Sequence, residues 1–263
     1  MPESTLSVIL ITKNESANID ACLASVAFAD EWIVVDSAST DDTRERALRL
    51  GATVIATDDW PGFGAQKQRA LDRATGRWVL AIDADERVSP ELAASIRAAV
   101  AAPPGPAAYE LSRLSSFCGQ WIRHGDWYPD RVLRLFLRGT ARFSDDRVHE
   151  RVVAEGRIGR LGGELLHLTM PTLEDALAKM NRYTSEGAAQ ALAAGKRGGA
   201  VAAALHAAWA FLRSYFVRGG LLDGAAGFTV AAYVAGGTFW RYRKIAELAR
   251  SLPRNDGRPT PLQ

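Results

Sequence analysis

The chain has 263 residues, a formal net charge of +2 and 48% hydrophobic residues, enough to bury a substantial core without metal or disulfide staples. That charge gives no reason to expect nucleic acid as a partner, and two cysteines far apart in sequence, Cys22 and Cys118, do not suggest a secreted disulfide framework. The opening MPESTLSVIL lacks a basic start and its apolar stretch is short, so it reads as a first strand rather than a signal peptide; no run reaches the length of a confident membrane span.

Leu6 to Ile11 is an apolar run ending in Thr12-Lys13-Asn14-Glu15, the pattern of a buried strand feeding a polar loop. Ile19, Cys22, Leu23 and Val26 then fall on one helical face. Trp32 to Val35 is a second strand. Ser39 or Thr40 caps the next helix, with Asp41 and Asp42 in its first turn and Gly51 at its end. Ala52 to Ala56 is a third strand, Ala65 to Ala74 a helix ending at Gly76, and Trp78 to Ile82 a fourth strand. Ser89 is the N-cap of a further helix, with Pro90 at its first position. This strand-then-helix order predicts an α/β fold with a mostly parallel sheet and helices on both faces. Pro103-Pro104-Gly105-Pro106 breaks the rhythm; Tyr109 to Phe117 and Val132 to Leu137 are strand-like, and Pro171-Thr172-Leu173-Glu174 opens a long helix. From Gly198 the composition turns to Ala, Gly and aromatics, which sets the expected domains at 1–197 and 198–263.

The second strand ends in Asp36 and the fourth in Asp83-Ala84-Asp85-Glu86. Ligands of a parallel sheet bind beyond the carboxyl ends of its strands, so these acids stand on the working edge. Were the strand to persist, Asp83 and Asp85 would share a face, where two carboxylates repel unless a cation or a donor intervenes. Mg²⁺ suits such a place, since it binds one or two carboxylates and completes its shell with substrate phosphates. The bland alternative is a solvated loop before the helix at Ser89. No glycine-rich phosphate loop follows the first strand, which leaves neither an evident P-loop enzyme nor a dinucleotide dehydrogenase.

LSVILITKNES, VVDSASTDDT and AIDADE together resemble the family 2 glycosyltransferases, whose fold is GT-A. The resemblance implies a nucleotide-sugar donor, a divalent metal (Mg²⁺ or Mn²⁺) and inverting transfer. It gives Asp36 and Glu15 to the base or ribose, Asp83 to the ribose, and Asp85 to the metal. Thr12, Lys67 and Arg131 are further expected donor contacts. Ala38 departs from the glycine common in D-S-G-S-T-D and restricts that turn. GFGAQKQRAL, WYPDRVLRLFLR, VHERV, LLHLTMPTLEDALAKMNRYT, RSYFVRGGLLDGAAGF and YRKIAEL extend the similarity to a bacterial subgroup that adds glucose or related sugars to the lipopolysaccharide inner core. A lipopolysaccharide or other lipid-linked acceptor, and UDP-glucose as donor, follow from that likeness alone.

Inversion requires a carboxylate to take the acceptor proton. Glu150, in Val148-His149-Glu150-Arg151, and Asp130, after Pro129, are the candidates, with Glu150 slightly preferred. Their bland readings are an ion pair with Arg147 or Arg151 and a turn. His149 is the expected additional metal ligand, and His167 an alternative for it or for a diphosphate contact. Arg131, Arg134 and Arg138 flank an apolar strand, as phosphate contacts or as solvated strand residues. Trp121 and Trp127 suit sugar stacking or core packing.

In the tail, Gly198 to Leu212 and Gly224 to Trp240 are nearly free of charge, and Arg213, Arg218, Arg241, Arg243 and Lys244 border them. Apolar helices with such borders lie at membrane interfaces or pack as hairpins. The expectation is a protein on the cytoplasmic face of the inner membrane. Rival functions are a nucleotidyltransferase, for which no activating basic glycine loop is seen, and a non-catalytic nucleotide-binding protein.

Overall fold

A computed structural model describes residues 5–102, 105–144 and 151–251. In chain order the elements are β1 (Leu6–Thr12), α1 (Ile19–Ser25), β2 (Glu31–Ser37), α2 (Thr43–Arg49), β3 (Thr53–Thr57), α3 (Phe63–Leu71), β4 (Trp78–Ala81), β5 (Glu86–Val88), α4 (Pro90–Ala101), β6 (Ala108–Phe117), β7 (Gln120–Trp121), β8 (Asp130–Leu137), β9 (Ala141–Phe143), β10 (Val152–Ala154), β11 (Ile158–His167), α5 (Leu173–Ala193), α6 (Ala200–Leu212) and α7 (Gly224–Ser251). They form two compact units, one from Met1–Ser116 and Pro129–Thr169, the other from Phe117–Tyr128 and Met170–Gln263.

The first unit is a sheet in the order β3-β2-β1-β4-β8-β6-β11-β5. β1 to β4 run parallel, as the strand-helix alternation predicts, and β6 is parallel to β11. β8 runs antiparallel to both β4 and β6. Alternation along β1 splits the core between the two faces. Val8 and Leu10 join Ile19 and Leu23 of α1 and Leu92 and Ile96 of α4, whereas Ile9 joins Ala70 and Leu71 of α3 and Phe136. Ser89 caps α4 as predicted, its Oγ accepting from Leu92 N at 3.2 Å. α2 begins later than Ser39 or Thr40 would place it, because those residues serve the loop, and Asp41 Oδ1 accepts from Thr43 N at 3.1 Å instead.

β11 has no counterpart among the expected strands. Its sequence, IGRLGGELLH, carries two glycines where the register against β6 shifts, between Arg160 and Glu164. Gly163 has φ +86°, and a Cβ there would stand 2.2 Å from Leu92 N of α4. Only glycine lets this strand pass so close to that helix.

In the second unit, Thr172 and Asp175 form a capping box at the start of α5. Ala176 of α5 and Val230 of α7 bury against Phe117 and Ile122, with Trp127 and Tyr233 packed around them. Trp127 therefore works as a packing aromatic here. Lys244 Nζ of α7 bonds Asn181 O and Thr184 Oγ1 of α5 at 2.8 and 2.9 Å. This staple and the shared core gather α5 into the helical unit, so the composition change at Gly198 falls inside that unit rather than at its start.

Candidate active site

The register of β1 against β2 sets Thr12 opposite Asp36. Asp36 is fully buried. Its carboxylate accepts from Thr12 Oγ1 at 2.9 Å, from Ser39 N at 3.0 Å and from Ser39 Oγ, and Arg44 Nε lies 3.6 Å away. The two loops are stitched further: Asn14 N donates to Ser39 Oγ at 2.8 Å, Thr40 N to Asn14 Oδ1 at 2.8 Å, and Glu15 N to Thr43 Oγ1 at 2.8 Å. Ala38 sits between them at φ +54°, a left-handed conformation that costs a residue with a Cβ about 1 kcal/mol or more. Asp36 thus holds two loops in place, and Glu15 beside them is partly exposed. Burial pushes the Glu15 carboxyl up from its ordinary value; a bond from Asn18 Nδ2 opposes this, and the charge of Asp85 adds to it.

β4 stops at Ala81, and Asp83 to Asp85 form a turn. The strand geometry that would put Asp83 and Asp85 on one face does not persist, and each acid finds its own partners. Asp83 Oδ1 meets Lys67 Nζ at 2.7 Å, and Oδ2 meets Arg134 Nη2 at 2.6 Å. Burial opposes the charge on Asp83, but Arg134 and then Lys67 outweigh it and hold this carboxyl well below the usual carboxylate range. Its side chain remains 32% exposed, so one side of it still faces solvent. Beneath it, the thiol of Cys22 is buried and points at Asp83 O, 3.6 Å away, and burial pushes that thiol up to about 12.

Asp85 turns instead toward β11. Its Oδ2 lies 3.2 Å from His167 Nε2, and Leu168 N donates to Asp85 O at 2.8 Å. The other ring nitrogen, Nδ1, is 3.0 Å from Ser115 Oγ, an outer contact of the kind that orients a metal-binding imidazole. Both side chains are partly accessible, at 29% for Asp85 and 15% for His167. One carboxylate oxygen and one imidazole nitrogen can hold Mn²⁺ or Mg²⁺ if substrate oxygens complete the shell. Among the described residues no group of three or more His, Cys, Asp or Glu is placed to hold a metal ion, so these residues offer a pair rather than a closed cage.

From Asp83 a line of alternating charges runs through buried Glu86 to Asp130. Arg134 Nη2 also reaches Glu86 Oε1 at 2.9 Å, Arg113 Nη1 reaches the same oxygen at 3.4 Å, and Arg113 Nη2 reaches Asp130 Oδ2 at 2.7 Å. Glu86 is fully buried and its Oε2 accepts from Asp83 N at 2.9 Å. Burial opposes the charge of Arg113, but Glu86 and Asp130 more than offset it. The β6–β8 register explains why Arg134 is there. It steps from Tyr109↔Leu135 to Glu110↔Leu133, leaving Arg134 with no residue opposite, and Val132 and Leu135 consequently pack into one cluster. Such a bulge redirects a single side chain, here toward the acids of the β4 turn.

The structure therefore brings together Thr12 with Asp36, and Lys67 with Asp83; it sets His167 beside Asp85. Arg131 does not join them: it is exposed on β8, opposite Ser112, and the neighbouring Arg134 is the arginine that enters the site. Asp130 stands at the end of the charge line, half-exposed and bonded by Arg113. Glu150 and His149 lie outside the described residues. Arg113 and Glu86 were not anticipated as partners, because an isolated Arg or Glu in a strand carries no signal of what it will face.

The sequence profile of Glycosyl transferase family 2 matches residues 7–136, the stretch that holds both loops and the β4 turn. An uncharacterised glycosyltransferase of Rickettsia typhi is 33% identical over 256 residues, covering 93% of this chain and 87% of that one. The lipopolysaccharide core biosynthesis glycosyltransferase LpsC of Rhizobium meliloti is 31% identical over 237 residues, 88% of each chain. Glucosyl-3-phosphoglycerate synthase of Mycobacterium tuberculosis is 38% identical over 93 residues, which make up 31% of this chain and 29% of that one. Family match and relatives that run nearly end to end agree with the mostly parallel sheet and its acidic edge: the chain is a GT-A glycosyltransferase and belongs to glycosyl transferase family 2.

Proposed function

We propose that this enzyme transfers a sugar, with glucose from UDP-glucose the leading candidate, to a lipopolysaccharide-core or other lipid-linked saccharide, with inversion. The observation that carries the reading is the division of labour at the β4 turn, where Asp83 is held by Lys67 and Arg134 while Asp85 pairs with His167. The likeness to LpsC over most of the chain supports the acceptor class, and the shorter likeness to glucosyl-3-phosphoglycerate synthase supports the sugar.

In this scheme the loops that Asp36 fixes, with Thr12 and Glu15, receive the nucleoside. Asp83 receives the ribose, and Lys67 and Arg134 add positive charge where the diphosphate leaves. Asp85 and His167 would hold Mg²⁺ or Mn²⁺, and the ion would supply positive charge for the departing diphosphate. The acceptor oxygen forms its bond to the anomeric carbon as the carbon–diphosphate bond breaks on the opposite side; the hydroxyl proton passes to a carboxylate, Asp130 or Glu150. His149 remains a further candidate ligand.

The test is release of UDP from UDP-glucose in the presence of Mn²⁺ and a truncated lipopolysaccharide core, with the anomeric configuration of the product read by NMR. A β-linked product formed only with acceptor and metal supports the proposal. Release that needs no metal, or a product that retains the α configuration, overturns it.

A further inference from the structure

α6 continues beyond Leu212 through a π-helical turn, Arg213–Val217, to give an 18-residue helical stretch from Ala200 to Val217 with mean hydropathy 1.3, of which only 17% is buried. Val201, Leu205, Trp209, Leu212 and Phe216 are each between 46% and 75% exposed. Their spacing of four, four, three and four keeps them on one side of the helix, within about a quarter of its circumference. Val217, Leu221 and Leu222 extend the exposed apolar surface just beyond it. A soluble monomer rarely leaves such a contiguous stripe facing water.

Charge says what the stripe faces. Of the chain's 32 Lys/Arg and 30 Asp/Glu, residues 187–246 hold seven of the former and one of the latter. The rest of the chain therefore has 25 against 29, so the positive charge is concentrated around the apolar helices. The single acid, Asp223, is turned inward: its side chain is 9% exposed and its carboxylate bonds His124 N and His124 Nδ1, each at 2.8 Å. Arg213 and Arg218 reach Asp126, at 2.9 and 3.3 Å, and Glu247 is exposed near the end of α7, but the stretch from 187 to 246 keeps its net positive charge; an apolar stripe in such a setting suits an anionic bilayer surface. By length and composition alone these 18 residues could also cross a bilayer, at the low end of the range of about 17–25 residues; Arg213 within the stretch, and Trp209 and Phe216 on its outer side, suit the headgroup boundary instead.

We infer that α6 and the turn after it lie in the plane of an anionic lipid bilayer, with Val201, Leu205, Trp209, Leu212 and Phe216 inserted at the headgroup–acyl boundary. This surface is independent of the donor site: failure of the sugar-transfer reading leaves it standing, and the reverse holds too.

The experiment is co-sedimentation of the full-length protein with vesicles of phosphatidylglycerol and phosphatidylcholine, or of phosphatidylcholine alone, for wild type and for Leu205→Glu/Trp209→Glu. Circular dichroism checks that the variant is folded. Binding to the anionic vesicles that the variant weakens at least about tenfold, with little binding to the neutral ones, is the expected result, since two apolar side chains leave the interface. Three results would overturn the inference: wild type that ignores anionic vesicles, a variant that binds as well as wild type, or a wild-type dimer that the variant turns into a monomer without vesicle binding. Protein that survives alkaline carbonate extraction from membranes would replace the in-plane helix with a span and overturn it as well.

Discussion

The two units handle polarity in opposite ways. In the sheet unit, charge is drawn into the fold: Lys67, Arg134 and Glu86 are buried and link the partly exposed Asp83, Arg113 and Asp130 into an unbroken line in which each acid touches a base. In the helical unit, apolar side chains go outside, as Leu205 and Trp209 do on α6. Each arrangement costs stability if judged as folding alone, because buried charges lose hydration and exposed apolar groups gain nothing. The contrast accords with the two proposals above, a charged small molecule for the first unit and a lipid surface for the second.

The contrast can be broken most forcefully at Arg134. Replacing it with Met leaves Glu86 fully buried with Arg113 alone at 3.4 Å, and Asp83 with Lys67 alone. Removing one member of a buried pair costs about 3 kcal/mol or more, and urea unfolding should register that loss. Asp85→Asn comes next. Its side chain is accessible and outside the charge line, so stability should hold while the transfer rate falls about a hundredfold or more, in the range of a lost transition-state contact. A variant with intact turnover would remove Asp85 from the chemistry. Ala38→Gly relieves φ +54° but loosens the unfolded chain, and should stabilise the protein by under about 1 kcal/mol in thermal unfolding. The smallest stability effect is expected in the other unit: Trp209→Gln on the exposed stripe should move unfolding by no more than about 0.5 kcal/mol while weakening vesicle binding. A large loss of stability there would mean that the stripe is part of a core.

What could be read from the sequence follows from how local its cause is. β1, β2 and β4 are apolar runs ending abruptly in polar residues, so their ends, and with them Asp36, Asp83 and Asp85, were legible. Ser89 and Thr172 were legible as helix starts because capping involves residues three apart. Lys67 came from resemblance rather than pattern, since a helix lysine is ordinarily solvated. Arg131 and Arg134 look alike in the sequence, and a bulge, which no periodicity announces, decides that Arg134 is the one that meets Asp83 and Glu86. His167 meets Asp85 only because β11 runs beside β5 and β6, and a glycine-bearing strand of that kind has no clear signature. Strand parity would pair Asp83 with Asp85, but it holds only to the last strand residue, Ala81, and both acids lie beyond it.

Everything proposed for the first unit rests on the β4 turn being a metal-assisted nucleotide-sugar site. The most direct test is thermal stabilisation of the purified protein by UDP, GDP, CMP, ADP and TDP, each with and without Mn²⁺ or Mg²⁺, in wild type and in Asp85→Asn. A ligand that binds only the folded state must raise its stability. A metal-dependent rise with UDP that Asp85→Asn abolishes is the expected result. No rise with any nucleotide in folded protein, or a rise that Asp85→Asn leaves intact, would contradict it.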